Sequence, residues 1–149
     1  MTPRVVLAVG LPGSGKSSYL AGLGAHPISS DAIRMQLVDD ETDQTIHERV
    51  FATMRYLLAQ RLELARPVTY IDATNLTRAD RLPFIEVARR HGAAAEALYF
   101  EVPLSVCRAR NAARSRVVPD EALEAMAARL EPPAAEEGFT RIESVPCPP

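Results

Sequence analysis

Gly10-Leu11-Pro12-Gly13-Ser14-Gly15-Lys16-Ser17 satisfies G-x-x-x-x-G-K-[ST] at every fixed position, and its flanks give that pattern physical meaning. Ahead of it runs Val5-Val6-Leu7-Ala8-Val9, the apolar, β-branched composition of a buried parallel strand. Behind it, Ser17 to Leu20 can open a helix. The glycines let the backbone curl until successive N–H groups face a polyphosphate. The helix N-terminus adds its positive end, Lys16 a point charge and Ser17 a hydroxyl for Mg²⁺. Lys16 is the only lysine among 17 basic side chains, so no other ammonium is available for that role. The alternative, a glycine-rich turn with no ligand, is outweighed by the full motif in its strand–loop–helix setting. The expected ligands are ATP (or GTP) and Mg²⁺, held by Gly10, Gly13, Ser14, Gly15, Lys16, Ser17 and Ser18.

The totals set the frame. At 149 residues the chain is expected to be one domain, 1–149, large enough for a packed core. No run approaches the ~18 apolar residues of a membrane span, and the opening apolar run leads straight into the phosphate loop rather than a cleavage site. Cys107 and Cys147 have neither metal-ligand nor redox spacing, and His26, His47 and His91 are scattered, so no zinc site is visible. A cytoplasmic protein is expected. Net charge is −2, which argues against indiscriminate nucleic-acid coating. Its distribution says more: residues 31–48 hold six carboxylates against one arginine, whereas Arg108, Arg110, Arg114 and Arg116 crowd together.

Periodicity gives the remaining elements. The first helix ends near Gly22-Leu23-Gly24, and His26 to Ser29 reads as a second strand. A short helix over Asp31–Val38 and an acidic loop at Asp39–Asp43 follow. A long helix covers about Thr45 to Ala65, stopped by Pro67, before a strand Val68–Ile71 that ends at Asp72. Thr77-x-x-Asp80 has the form of a capping box for a helix reaching His91, closed by Gly92. Ala95–Val102 reads as a strand, Leu104–Arg114 as an arginine-bearing helix, and Pro119 as the start of another ending at Pro132-Pro133. Thr140–Val145 adds a last strand and Pro-Cys-Pro-Pro a frayed tail. Alternating strands and helices behind a phosphate loop predict an α/β three-layer sandwich on a parallel sheet, a P-loop NTPase/kinase fold with a helical lid at about 104–118.

Three further constellations carry chemistry. Asp31 and Arg34, three apart on a helix after a strand, sit at the carboxyl edge of the sheet. There a carboxylate can take the proton of an attacking hydroxyl and the arginine can hold an anion on the acceptor. The alternative makes Asp31 an N-cap in an exposed pair. Asp72-Ala73-Thr74-Asn75 follows the third strand: Asp72 can hold a Mg²⁺-bound water, as can Asp31, while Thr74 and Asn75 line the site, or the stretch is only an Asx-type turn. Arg110 and Arg114, four apart, repel on one helical face unless a polyphosphate lies between them. A solvated basic face is the alternative.

With these residues in hand, the chain resembles the kinase domain of the 5′-hydroxyl polynucleotide kinases of phage and bacterial RNA repair. The likeness runs through Gly10–Ser17, Ser30-Asp31-x-x-Arg34, Asp72-x-Thr74-Asn75 and Arg110-Asn111-x-x-Arg114 with Val118-Pro119 beyond. It implies Lys16 and Ser17 on ATP and Mg²⁺, Asp31 as general base toward a 5′-OH and Arg34 on the acceptor phosphate. Arg114 would stabilise the transferring phosphoryl group, with Arg110 helping. Glu131-Pro132-Pro133 and Glu136-Glu137-Gly138-Phe139 are similar to related small kinases, without an evident chemical role. Members with RNA-repair roles are usually fused to a phosphatase, phosphodiesterase or ligase domain, which these 149 residues do not carry. Relatives on this scaffold phosphorylate sugars, antibiotics or peptidoglycan precursors.

Three readings follow. The first is phosphoryl transfer from ATP to the 5′-hydroxyl of RNA or DNA. The second uses the same machinery on a small hydroxylated metabolite or antibiotic, and the third is a nucleotide-dependent switch. Placement of Asp31 and Arg34 at an acceptor position argues against a switch. Against a polynucleotide, the eight aromatic residues show no clustering along the chain and so no stacking platform.

Overall fold

A computed structural model of the protein describes residues 1–114 and 117–147. Arg116 of the arginine cluster and the last two prolines of the expected tail lie outside them. Five strands, β1 (Arg4–Val9), β2 (Ile28–Ser29), β3 (Val68–Asp72), β4 (Ala94–Tyr99) and β5 (Phe139–Ser144), form one sheet in the order β2-β3-β1-β4-β5. Every pairing is parallel. Between them run α1 (Lys16–Gly22), α2 (Ser30–Val38), α3 (His47–Glu63), α4 (Arg78–Arg90), α5 (Leu104–Ala112) and α6 (Asp120–Arg129). A 3₁₀ turn at Ala135–Glu137 precedes β5.

The period of two along β1 divides the core. Val5, Leu7 and Val9 share one apolar cluster with Val50, Met54 and Leu58 of α3 and Phe84 and Ala88 of α4. Val6 and Ala8 face the other way, into a cluster with Leu20 of α1, Cys107 of α5 and Leu123 of α6. This is the expected three-layer α/β sandwich with the central strand buried on both faces, a P-loop kinase fold. Among the described residues no helix is long and apolar enough to cross a membrane.

Several boundaries differ from expectation, each for a local reason. β2 pairs only through Ile28 and Ser29, because Pro27 has no N–H to offer. α2 starts at Ser30 because Ser29, not Asp31, is its cap: the Ser29 hydroxyl accepts from the Ala32 N–H at 3.2 Å. α3 begins two residues late since Asp43 Oδ1 takes both the N–H and hydroxyl of Thr45, at 2.8 and 2.6 Å. It stops at Glu63, with Ala65 left-handed at φ 57°. β4 ends at Tyr99 because the Val102 N–H turns back to Phe100 O ahead of Pro103. The Thr77–Asp80 capping box forms as predicted, with both reciprocal bonds present.

Candidate active site

Strand register brings the predicted residues together. Ala8 of β1 and Ser29 of β2 both stand opposite Asp72 of β3. The three strands therefore finish level, and the loops that follow them open on one edge. The phosphate loop is tied to its neighbour, as the Gly10 N–H donates to Thr74 O at 3.0 Å. The result is a cleft of about 480 Å³. Gly13, Gly15, Lys16, Ser17 and Ser18 form one wall, with Arg110 and Arg114 beside them. Ser30, Asp31 and Arg34 form the opposite wall, and Asp72, Thr74 and Asn75 the floor between them.

The phosphate loop has the backbone its glycines allow. Gly13 and Gly15 lie at φ 83° and 94°, and a Cβ on Gly13 would meet Cys107 O at 2.6 Å. Only glycine serves there. Gly10 and Ser14 sit behind the cleft wall rather than on it. The Ser14 hydroxyl, buried, has no hydrogen-bond partner in the chain. Lys16 Nζ curls over the loop and donates to Gly10 O and Leu11 O at 2.8 and 2.9 Å. Burial lowers its pKa to about 8, with Asp72 the strongest opposing influence.

Ser17 and Asp72 form the pair to which a hard cation would bind. The Ser17 hydroxyl donates to Asp72 Oδ2 at 2.8 Å. This all-oxygen set, one hydroxyl with carboxylates nearby and room for water, fits Mg²⁺, which keeps most of its waters and binds through few protein ligands. Among the described residues no group of three or more His, Cys, Asp or Glu makes a dedicated metal cage.

On the opposite wall, the Asp31 carboxylate is 38% exposed and faces the cleft. The Arg34 guanidinium is only 6% exposed: its Nη1 lies 3.6 Å from Asp31 Oδ1, its Nε donates to Asp43 O at 3.1 Å, and its Nη2 lies 3.3 Å from His47 Nδ1. Arg34 thus joins the base candidate to the acidic loop and to α3. The loop carboxylates are spent partly on that loop itself, with Asp40 and Asp43 each accepting from a threonine two residues on.

On the floor, Thr74 is partly exposed while Asn75 is buried in the left-handed region at φ 49°. Asn75 Nδ2 donates to Ala8 O at 2.7 Å, stitching the β3 loop to β1. Beneath it lies an element with no sequence signal. Arg81, fully buried, makes a two-pronged pair with Glu137, Nε to Oε1 at 2.8 Å and Nη2 to Oε2 at 3.0 Å. Its Nη1 donates to the carbonyls of Asn75, Leu76 and Glu131. The two C-terminal segments without an evident role are therefore the brace of the Asp72–Asn75 loop.

The arginine lid departs from expectation. α5 stops at Ala112, so Arg114 lies beyond it, and Arg110 and Arg114 do not share one helical face. The Asn111 side chain causes this: it accepts from the Val118 N–H and donates to Val118 O. Seven further residues of helix would carry Val118 some 10 Å away from Asn111. Arg110 still reaches the phosphate loop, with Nη1 3.4 Å from Gly13 O, and Arg114 is close enough to Lys16 to lower its pKa. Arg108 turns away, pairing with Glu124 at 2.7 Å and Asp120 at 3.7 Å.

Several cleft residues escaped the sequence reading, among them Gln44, Arg129 and the pair His47 and Phe51, whose rings lie 4.5 Å apart. Phe51 in turn touches Phe84. Aromatic side chains that do not cluster along the chain thus do so in space.

Comparisons with known proteins agree with this fold. A chain of the Pnkp1/Rnl/Hen1 RNA repair complex superposes with TM-score 0.72 at 22% identity, covering 87% of this chain and 44% of that one. The chain therefore spans less than half the length of that relative. A gluconokinase from Sinorhizobium meliloti 1021 matches with TM-score 0.65 at 24% identity, over 97% of this chain and 83% of the other. Chaetomium thermophilum Kti12, in complex with ADP-AlF3, gives 0.65 at 14% identity, over 95% and 88%. Residues 5–133, the phosphate loop and both walls of the cleft included, match the AAA domain family, to which this chain belongs.

Proposed function

We propose that the protein is an ATP- and Mg²⁺-dependent kinase that phosphorylates the 5′-hydroxyl of RNA or DNA. The observation that supports this most is the cleft itself, in which a solvent-open Asp31 faces the phosphate loop across a floor carrying Asp72. A nucleotide switch has no need of such a carboxylate.

In this reading Gly13–Ser18 cradles the triphosphate, and Lys16 leaves its carbonyl partners for phosphate oxygens. Ser17 and Asp72 would hold Mg²⁺, which would neutralise charge on the phosphates. Asp31 accepts the proton of the acceptor hydroxyl as its oxygen bonds to the γ-phosphorus. The bond from that phosphorus to the β-bridging oxygen breaks, giving a phosphomonoester, ADP and a proton. Arg34 holds Asp31 in place and lends positive field to an acceptor phosphate. Arg110 and Arg114 bear charge on the phosphoryl group in flight.

The second reading, a small hydroxylated acceptor, is favoured by one observation: the gluconokinase matches this chain over most of both lengths. An acceptor panel separates the two. With γ-labelled ATP, label on a 5′-OH oligonucleotide and none on gluconate or related polyols supports the first. The opposite pattern overturns it.

A further inference from the structure

We infer that His47 is an acceptor-contact residue of this cleft, offering its imidazole face to the flat base at the acceptor's 5′ end. The inference rests on the polynucleotide reading above and names what that reading lacks, a platform for the base.

His47 opens α3, and Phe51 stands four residues on, hence on the same helical face. Their rings lie 4.5 Å apart with planes 31° from parallel. Phe51 is packed in turn on Phe84, which is fully buried. The imidazole is therefore backed by the core. Its edge is fixed as well, because Nδ1 lies 3.3 Å from Arg34 Nη2. A guanidinium only donates, so in this contact Nδ1 can serve only as the acceptor. Backed by Phe51 and anchored by Arg34, His47 is nonetheless exposed and lines the cleft on the same wall as Asp31. A side chain serving only to fill the core would be covered. One held in orientation and left open beside Asp31 is placed to be met by a planar group. Stacking of a base on such a ring changes affinity by roughly ten- to a hundredfold.

The test compares His47→Ala, His47→Phe and His47→Asn on a 5′-OH oligonucleotide and on the same strand with an abasic 5′ residue. Phe keeps the aromatic face and loses Nδ1; Asn keeps an acceptor for Arg34 and loses the face. Stacking predicts that Ala and Asn raise the acceptor KM about tenfold or more, with kcat and the ATP KM within about twofold. Phe then stays within about threefold of the unaltered protein, and the abasic strand responds to none of the three. The reverse pattern, Asn tolerated and Phe impaired, would reduce His47 to an anchor for Arg34 and overturn the inference, as would an unchanged acceptor KM throughout. Failure of the unaltered protein to label any 5′-OH end counts against the polynucleotide reading itself. In that event, adenosine 3′-monophosphate titrated into the ADP-loaded protein decides for His47: an upfield ring-current shift of its imidazole resonances supports the contact, and no shift refutes it.

Discussion

Replacing Arg81 with Met should cost this protein a large share of its stability. Arg81 is fully buried and Glu137 only 5% exposed, so neither charge can recover water when the other is removed. The substitution leaves Glu137 with the Ala134 N–H at 2.9 Å and a distant Arg78 Nε at 4.0 Å. It also strips a donor from the carbonyls of Asn75, Leu76 and Glu131. Breaking a buried pair from one side costs about 3–5 kcal/mol. At about 4 kcal/mol the melting temperature of a chain this size falls by roughly 8–16 °C. Urea unfolding of four proteins, unaltered, Arg81→Met, Glu137→Leu and the double variant, closes a double-mutant cycle. The double variant should be more stable than Arg81→Met alone, because it no longer buries an unpaired carboxylate. A loss under about 1 kcal/mol in Arg81→Met, or strictly additive single effects, would refute the assignment of Arg81 as the brace of the floor loop.

Two further outcomes follow from the same geometry. Burial sets the Lys16 pKa near 8, so in the free protein the ammonium is charged below that pH and lost above it. Phosphate is already fully ionised there, its second pKa being about 6, so nucleotide affinity should fall as pH rises above about 8, with proton uptake on binding. Calorimetry in buffers of different ionisation enthalpy reads both, and a flat affinity to pH 10 with no proton uptake would contradict the role of Lys16. Arg114→Ala should lower kcat by tenfold or more and leave ATP dissociation within about threefold, since an interaction made in the transition state is absent from ground-state binding. Equal losses in both would make Arg114 a positioning contact only.

The parts of the site visible in the sequence are those that local rules govern. The phosphate loop, the carboxylates at the ends of β2 and β3, and the Thr77–Asp80 box all depend on residues within a few positions of each other. Ordinary register then brought them to one edge. What stayed hidden depends on distant partners. Arg81 looks like any surface arginine of an amphipathic helix until Glu137, 56 residues on, closes over it. Asn111 ends α5 through Val118, a contact invisible to helical periodicity. Phe84, 33 positions beyond Phe51, meets the His47–Phe51 pair only when α4 packs on α3. Sheet order likewise rests on strand-to-strand contacts that no local pattern encodes.

The most direct test of the central claim, that Asp31 faces the triphosphate as the base of a phosphoryl transfer, is a paired measurement on Asp31→Ala. Transfer of γ-labelled phosphate from ATP to a 5′-OH oligonucleotide is followed beside ATP binding by the same protein. The account predicts transfer reduced by at least about 10²-fold with ATP affinity nearly unchanged. Full transfer by Asp31→Ala would contradict it.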